Sequence, residues 1–304
     1  MSVLVVDKPT GPSSFAVLKR VGRALMRASG QRRPAPKLGH GGTLDPMASG
    51  VLPVCVAEAT KLIPFLLDTD KEYLATVRLG VETDTLDATG AIVAERPVSG
   101  LDDATLEAAL AAFRGDIEQL PPMFSALKHR GRPLYSYARA GQTVERKPRR
   151  VTIHDLVLLG FEPPALLHLR VRCSKGTYIR SLAADLGTHL GLGAHLTELR
   201  RTASGPFRLE QALTPDEIEA RVERGEALPY LSMRDGLAHL PAIWVDEPLA
   251  LRLSRGQAVT WSELCADRHA AGPLCVLRPS GRLLAVVERG KAEDVRSLRV
   301  FNVG

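Results

Sequence analysis

Residues 39–46 read Gly39-His40-Gly41-Gly42-Thr43-Leu44-Asp45-Pro46, and this loop decides how the fold is assigned. Three of its first four residues are glycines, which permit backbone conformations and close approaches that other residues resist. Pro46 restricts the backbone directly after Asp45, so the carboxylate is presented from a stiff loop. Taken alone, the pattern also fits a turn aspartate that caps the next element.

Periodicity on both sides of this loop predicts a mixture of strands and helices. Apolar runs predict strands at 3–6, 51–56, 73–79, 151–161 and 166–173, and helical spacing predicts helices at 13–26, 58–67, 102–113, 133–140 and 181–190. Ser13 or Ser14 can cap the first helix. Because strands and helices do not alternate regularly, we expect an α+β fold with a mixed, largely antiparallel sheet.

The strand at 166–173 carries the clearest alternation. Apolar side chains at 167, 169, 171 and 173 take turns with His168, Arg170 and Arg172, which predicts one buried and one exposed face.

The pattern of predicted secondary structure changes after Leu240-Pro241. Short strand candidates at 274–277, 283–288 and 298–303 are separated by glycine and proline turns. We therefore expect a main domain at 1–238 and a small β-rich domain at 239–304. A module of that size is near the lower limit for independent folding, so we expect it to dock on the main domain.

Positive charge is concentrated in one segment. The net charge is +6 and the pI about 9.3, yet residues 128–150 carry eight cations against the single acid Glu145. The eight cations are Lys128, Arg130, Arg132, Arg139, Arg146, Lys147, Arg149 and Arg150. A smaller basic cluster comprises Arg27, Arg32, Arg33 and Lys37. Such segments favour a polyanionic partner, because neutralised phosphates release counterions; the alternative is a solvated basic loop.

Several protein classes fit the sequence poorly. Cys55, Cys173, Cys265 and Cys275 lie far apart without a CxxC pair, which favours buried reduced thiols over a metal site or a disulfide framework. No apolar run approaches the roughly 18 residues of a membrane span, and the first residues do not form a secretory signal. We expect a cytoplasmic protein.

Four further motifs carry possible chemistry, and each is ambiguous alone. Arg180 in Gly176-Thr177-Tyr178-Ile179-Arg180 could reach a carboxylate or lie on the surface. Tyr73 after Lys71-Glu72 could be catalytic or part of the core. The acids at 83–90 suggest a calcium loop, but no bidentate glutamate follows at the required position. Residues 119–128, QLPPMFSALK, form a rigid turn before the basic segment.

In this order, the motifs closely resemble the TruB family of tRNA pseudouridine synthases. The resemblance covers roughly residues 3–207. It begins with Val5, Asp7, Lys8, Pro9 and Gly11 and continues through the motifs GHGGTLDP, DKEY, TDTLDATG, QLPPMFSALK, KGTYIRSLAADLG and HLTELRRTASGPF. Met47 stands where leucine is frequent, and the segment between Arg27 and Lys37 resembles an insertion; neither touches the acid. The C-terminal resemblance, to a PUA-like RNA-binding module, is looser.

The resemblance implies a function. A pseudouridine synthase catalytic domain at 1–238 and a PUA-like domain at 239–304 would isomerise uridine 55 in the T-loop of tRNA by base flipping. No cofactor and no metal are expected, because the reaction changes neither mass nor oxidation state. The stand-alone bacterial type is implied, acting as a monomer without a protein partner.

The resemblance also assigns residues. Asp45 would be the catalytic carboxylate, and Arg180 would hold it ionised and oriented. The base pocket would comprise Tyr73, Tyr178 and Leu199. His40 would fill the space left by the flipped base, and the eight cations of 128–150 would bind phosphates. The rival interpretations are a non-catalytic tRNA-binding or folding chaperone and, more distantly, a hydrolase that frees the base.

Overall fold

The computed structural model describes residues 2–28, 36–264, 272–290 and 293–301. The strands are β1 Val3–Lys8, β2 Leu38–His40, β3 Ser49–Val56, β4 Lys71–Leu79, β5 Val81–Thr83, β6 Ile92–Glu95, β7 Gly115–Gln119, β8 Lys128–His129, β9 Arg132–Pro133, β10 Arg149–Glu162, β11 Leu166–Cys173, β12 Ala194–Ser204, β13 Phe207–Arg208, β14 Ala242–Trp244, β15 Leu274–Leu277, β16 Leu283–Arg289 and β17 Val295–Val300. The α-helices are α1 Ser14–Ala28, α2 Ile63–Leu67, α3 Asp103–Ala111, α4 Leu134–Ala138, α5 Ile179–His189, α6 Pro215–Glu223, α7 Met233–Gly236 and α8 Glu247–Ser254. Two 3₁₀ helices span Ala57–Leu62 and Leu209–Gln211.

The chain divides into two compact units that interleave along the sequence. The first unit comprises Met1–Asp45, Val51–Asp68 and Ser204–Gly304. The second comprises Pro46–Gly50 and Thr69–Ala203. The domains expected at 1–238 and 239–304 divide the chain in a different way, and that expectation stays a prediction.

In the first unit, β1 separates two hydrophobic cores. β1 lies beside β3, and β2 pairs with β3 in antiparallel register. Because side chains alternate along a strand, Val3 and Val5 enter one core while Leu4 and Val6 enter the other. The second core is covered by the apolar stripe of α1, and burying each such side chain stabilises the unit by roughly 1.5–3 kcal/mol. The predicted first helix is confirmed.

The C-terminal sheet belongs to the same unit. Its strand order is β14-β15-β16-β17, with β14 and β15 parallel and the other pairs antiparallel. Cys275, Leu283 and Phe301 share a core with Val3 and Phe207. The opposite face of the sheet packs around the buried ring of Trp261. The docking expected of the C-terminal segment is therefore confirmed.

The second unit is built on a mostly antiparallel sheet. Its strands run in the order β12-β4-β11-β10-β7, and the β4–β11, β11–β10 and β10–β7 pairs are antiparallel. The first two residues of β3 pair in parallel with Arg200 and Arg201 of β12. At that crossing Gly50 has a φ of 103°, and a Cβ there would lie 2.2 Å from the Arg201 carbonyl oxygen. The α+β prediction and the buried face of β11 are both confirmed.

Two sequence predictions need correction, and one strand was missed. The segment at 58–67 is not one helix: a 3₁₀ helix precedes α2, whose Pro64 has no N–H for an interior helical bond. The last strand covers Val295–Val300 instead of 298–303, and its predicted end falls outside the described residues. Strand β12 was not predicted, because its apolar positions are interrupted by buried polar residues such as His195 and Arg201. None of the described helices is long and apolar enough to span a membrane.

Candidate active site

The Asp45 loop is anchored to the start of α1. Ser14 is buried, and its hydroxyl donates to the Leu44 carbonyl and accepts from the Leu44 N–H, each at 2.8 Å. The Gly41 N–H donates to the Pro53 carbonyl at 2.9 Å. The neighbouring Ser13 performs the cap, because its hydroxyl accepts from the Ala16 N–H. The backbone immediately before Asp45 is thus fixed, while Asp45 itself is half-buried.

Close packing at two positions and backbone conformation at a third favour glycine in this loop. A Cβ on Gly39 would lie 2.4 Å from the Ile63 methyl Cδ1, and one on Gly41 would lie 3.0 Å from Leu66. Gly42 has a φ of 134°, which side-chain-bearing residues rarely adopt. His40, half-buried on β2, pairs in register with Val54 of β3. The loop and His40 therefore lie in the first unit.

Arg180 is buried in the second unit, at the start of α5. The residue is only 3% exposed, so the surface-arginine alternative is wrong. Its Nη1 donates to the Thr85 carbonyl at 3.0 Å, and its Nη2 donates to the Phe124 carbonyl at 2.8 Å. The carboxylate of Asp87 lies 3.6 Å from Nη1. We call Thr85, Asp87 and Phe124 the Arg180 cradle, since together they fix the guanidinium plane.

The acidic loop at 83–90 closes on Asp87. Its Oδ1 accepts from the Thr85 hydroxyl at 2.8 Å, the Thr89 N–H at 3.0 Å and the Thr89 hydroxyl at 2.5 Å. The Thr83 hydroxyl donates to the Asp87 carbonyl at 2.8 Å. Leu86, between two cradle residues, has a φ of 63°, a strained conformation for leucine. The loop thus orients the carbonyl and the carboxylate that face Arg180.

A buried glutamine ties Tyr178 to the rigid turn at 119–128. The Gln119 amide donates to the Tyr178 carbonyl at 3.0 Å and accepts from the Tyr178 N–H at 2.7 Å. The Ser181 hydroxyl donates to the Leu120 carbonyl at 3.0 Å. Sequence reasoning missed the positioning roles of Gln119, Thr85, Asp87 and Phe124. The signal available in the sequence was the polar residues of TDTLDATG and QLPPMFSALK, two motifs to which no chemical role had been assigned.

Tyr73 and Leu199 lie on neighbouring strands of the second unit. Tyr73 is on the inward row of β4, Leu199 is on β12, and each is 9% exposed. The Thr197 hydroxyl donates to the Thr76 carbonyl at 3.0 Å, which ties these two strands together. Their part in a base pocket stays a prediction, as does the ion pair between Arg180 and Asp45.

The basic segment at 128–150 is displayed on the surface. Seven of its eight cations are exposed, and the half-buried Arg146 donates to the Pro121 carbonyl at 2.8 Å. β8 and β9 form a hairpin, followed by α4, where the Arg139 guanidinium lies 5.5 Å from the Tyr135 ring. Arg150 forms an ion pair with Asp116 at 2.6 Å. In the smaller basic cluster, Arg32 and Arg33 lie outside the described residues.

Three thiols are buried. Burial raises the pKa of Cys55 and of Cys173 to about 12, and the pKa of Cys275 to about 11. The prediction of buried reduced thiols is confirmed for these three. Cys265 lies outside the described residues.

Two family models match the chain in succession. The N-terminal domain of TruB family pseudouridylate synthase matches residues 28–179, and the C-terminal domain of tRNA pseudouridylate synthase B matches residues 180–232. Proteins called tRNA pseudouridine synthase B match over most of their length. The relative from Saccharophagus degradans is 46% identical over 294 residues, covering 94% of this chain and 91% of the relative. The relative from Aromatoleum aromaticum is 50% identical over 287 residues, covering 94% and 88%.

Solved structures are similar along the whole chain. A Cbf5-Nop10-Gar1 complex matches with a TM-score of 0.76 at 27% identity, covering 99% of this chain and 84% of that chain. An H/ACA RNP bound to a substrate RNA containing 2′-deoxyuridine matches with a TM-score of 0.74 at 25% identity, covering 99% and 85%. The chain thus has the pseudouridine synthase fold with a small β-rich C-terminal sheet. It belongs to the TruB family of pseudouridylate synthases.

Proposed function

We propose that this chain isomerises uridine 55 in the T-loop of tRNA to pseudouridine. The observation that carries the proposal is the Asp45 loop. A Cβ on Gly39 or Gly41 would press against Ile63 or Leu66, Gly42 has a φ of 134°, and a serine hydroxyl binds the residue before the acid. In a member of the TruB family, such a loop presents one carboxylate at a defined place, which is what a cofactor-free isomerisation requires.

The reaction breaks the bond between C1′ of the ribose and N1 of uracil, turns the base, and joins C1′ to C5. The proton on C5 is lost and N1 gains one, so atoms and electrons balance without a cofactor. Asp45 serves by attacking C1′, by adding to the base, or by removing a sugar proton. Each route requires an ionised carboxylate held against the flipped nucleotide.

The proposed partner of Asp45 is Arg180. A guanidinium has five N–H groups, and the carbonyls of Thr85 and Phe124 accept from two of them. We assign a further N–H to Asp45, which would keep the acid ionised through an adjacent fixed cation. Because the cradle holds the guanidinium rigidly, this contact would also fix the orientation of the Asp45 carboxylate.

The rest of the proposed site handles the RNA. A uridine in a folded loop must leave its stack, at a cost of a few kcal/mol. Tyr73, Tyr178 and Leu199 would enclose the base, and His40 would occupy the vacated space. The exposed cations at 128–150 would contact phosphates, which positions the RNA without reading its sequence.

The proposed partner is the T-arm of tRNA alone. The protein would act as a monomer in the cytoplasm, with no membrane and no protein partner needed, and residues 239–304 would serve as a PUA-like RNA-binding domain. The second candidate is a non-catalytic tRNA-binding or folding chaperone. The exposure of the basic segment favours this candidate, because binding phosphates needs no acid.

The deciding experiment uses a tRNA transcript labelled with tritium at uridine C5. Wild-type protein should release one tritium per tRNA without freeing uracil, because C5 exchanges its proton for the new bond. Asp45→Asn should release none, since the amide is neutral. The matched control is Asp103→Asn, which changes an exposed acid on α3 and should leave release intact.

Each other outcome has a meaning. If wild-type protein binds the transcript but releases no tritium, the protein is a tRNA-binding or folding chaperone and not an isomerase. If free uracil appears, the protein is a hydrolase. If Asp45→Asn releases tritium at the wild-type rate, the acid is elsewhere.

A further inference from the structure

We propose that Phe15 is a stacking platform for an unpaired RNA base beside the target uridine, and that Lys19 and Arg23 bind the phosphates next to it. This inference rests on the proposed function, because it takes RNA at the Asp45 loop as given. It adds a binding surface on α1, far in sequence from the basic segment at 128–150.

The first observation is the exposure of Phe15. The residue is the second of α1, and it is 59% exposed, whereas the apolar stripe of the same helix is buried. A ring left in water contributes little to the core. The ammonium of Lys19 lies 4.6 Å from the ring centroid, which places a cation over the aromatic surface. An open aromatic ring with an adjacent cation suits a base and its phosphate together.

The second observation is the charge of the helix. α1 contains no acidic residue. Lys19 and Arg23 follow Phe15 at intervals of four residues, so the three side chains lie on the same side of the helix. Arg20 is paired with Asp216 and Glu219 of α6, and Arg27 lies 3.7 Å from Glu219.

Lys19 and Arg23 differ from these paired arginines. Among the described residues, no carboxylate lies within ion-pair distance of either, and both are exposed. The helix therefore presents two unneutralised cations beyond the aromatic ring. They extend about 12 Å along the axis from Phe15, given a rise of about 1.5 Å per residue.

The third observation is the position of this surface. Ser14 precedes Phe15, and its hydroxyl bonds twice to Leu44, the residue before Asp45. Phe15 is therefore one residue from an atom that touches the acid loop, within the same compact unit. The surface formed by Phe15, Lys19 and Arg23 therefore begins one residue after the serine that anchors the acid loop.

The chemistry of flipping supplies the need for such a surface. When one base leaves its stack, the nucleotides on either side lose their stacking partner. Base-to-aromatic stacking recovers part of that loss and works for any base, because every base has a π-face. A protein partner is disfavoured for this surface, since one cation over the ring and a second further along the helix match a phosphate-bearing strand better than an apolar protein surface.

The test measures tRNA affinity in an Asp45→Asn background, so that no turnover intervenes. Phe15→Ala should weaken binding about tenfold, as expected for one lost stacking contact. Phe15→Trp should bind at least as tightly as wild type, while Phe15→Leu should resemble Phe15→Ala because leucine has no π-face. The matched control is Leu159→Ala, which truncates another apolar side chain that is 53% exposed; it should not change affinity.

Two further readouts assign the contact. Substituting the nucleotides flanking the target uridine by abasic ones, one at a time, should abolish the Phe15→Ala effect at one position. Lys19→Gln with Arg23→Gln should lower the slope of log K against log salt by about 0.7–0.9 per cation.

The inference and the proposed function fail differently. If wild-type protein releases tritium but Phe15→Ala binds the transcript as tightly as the control, the stacking surface is wrong and the isomerase stands. If Phe15→Leu binds like wild type, or if no abasic substitution couples to Phe15, the ring has another use, such as docking a protein. If wild-type protein releases no tritium while Phe15→Ala still loses affinity, the isomerase is wrong and the RNA contact survives.

Discussion

The Arg180 cradle and the basic segment at 128–150 use the same kind of side chain for opposite purposes. Arg180 is buried and donates to two backbone carbonyls, whereas seven of the eight cations in the basic segment are exposed. A buried charge is strongly penalised unless it is hydrogen-bonded, so its partners fix its position. An exposed charge has no fixed position, but it still attracts a polyanion. The cradle therefore supplies geometry, and the basic segment supplies affinity.

The largest expected effect is from breaking the cradle. Arg180→Ala leaves the Asp87 carboxylate buried beside two carbonyls that have lost their donors, and we expect a loss of about 3–5 kcal/mol in the free energy of unfolding. Arg180→Lys should recover part of this loss, because one ammonium cannot reproduce the planar fork. Urea unfolding measures both variants. The matched control, Arg130→Ala, removes an exposed arginine and should change stability by less than about 0.5 kcal/mol. Equal losses in Arg180→Ala and Arg130→Ala would remove the distinction between the two regions.

A smaller effect is expected from neutralising the basic segment. Lys147→Gln with Arg149→Gln should leave the melting temperature unchanged and lower the slope of log K against log salt by about 1.4–1.8 for tRNA. Arg150→Gln provides the comparison, since its charge is already paired with Asp116 and should contribute less to the slope. A double variant with the wild-type salt dependence would show that the segment does not contact phosphates.

The smallest effect concerns Asp185 on α5, whose carboxyl has no hydrogen bond or ion pair with any residue that the structure describes. Burial raises the pKa of this carboxyl above its usual value of 3.8. The folded state therefore holds the proton more tightly than the unfolded state, and stability is lost as the pH rises through the raised pKa. Asp185→Asn should remove this cost, so the variant should be slightly more stable than wild type at pH 7 and equally stable at pH 3. Urea unfolding at the two pH values checks this; a variant less stable at pH 7 would reveal a favourable partner of the ionised acid.

The sequence predicted local features better than convergent ones. The alternation of 166–173 predicted the buried face of β11, and the glycines of 39–42 predicted unusual backbone dihedrals, which Gly42 adopts with a φ of 134°. The Arg180 cradle could not be predicted from residues alone, because Thr85, Phe124 and Arg180 come from three segments separated by up to 95 positions. Burial of Arg180 follows from that convergence, and its own motif fits a surface arginine equally well.

Ser13 and Ser14 show the same limit of sequence-based prediction for two adjacent residues. Both can cap a helix, and the sequence left the choice open. The structure gives the cap to Ser13, while Ser14 binds Leu44, 30 positions away. Only the packing of α1 against the acid loop separates the two serines, and this contact has no local signature. The roles of Asp45, Tyr73 and Leu199 came from resemblance, and the tritium-release experiment tests that of Asp45.

The interleaving of the two units has a consequence for how the protein is made. Val3, on β1, shares a core with Leu237 and Phe301, so Val3 leaves the ribosome about 300 residues before one of its core partners. At about 5–20 residues per second, that interval lasts roughly 15–60 seconds. Meanwhile the long segment from Thr69 to Ala203 emerges in one piece and can fold ahead of its surroundings. The nascent chain therefore exposes part of an apolar core until Phe301 has emerged, which makes β1 and β3 a natural substrate for chaperones.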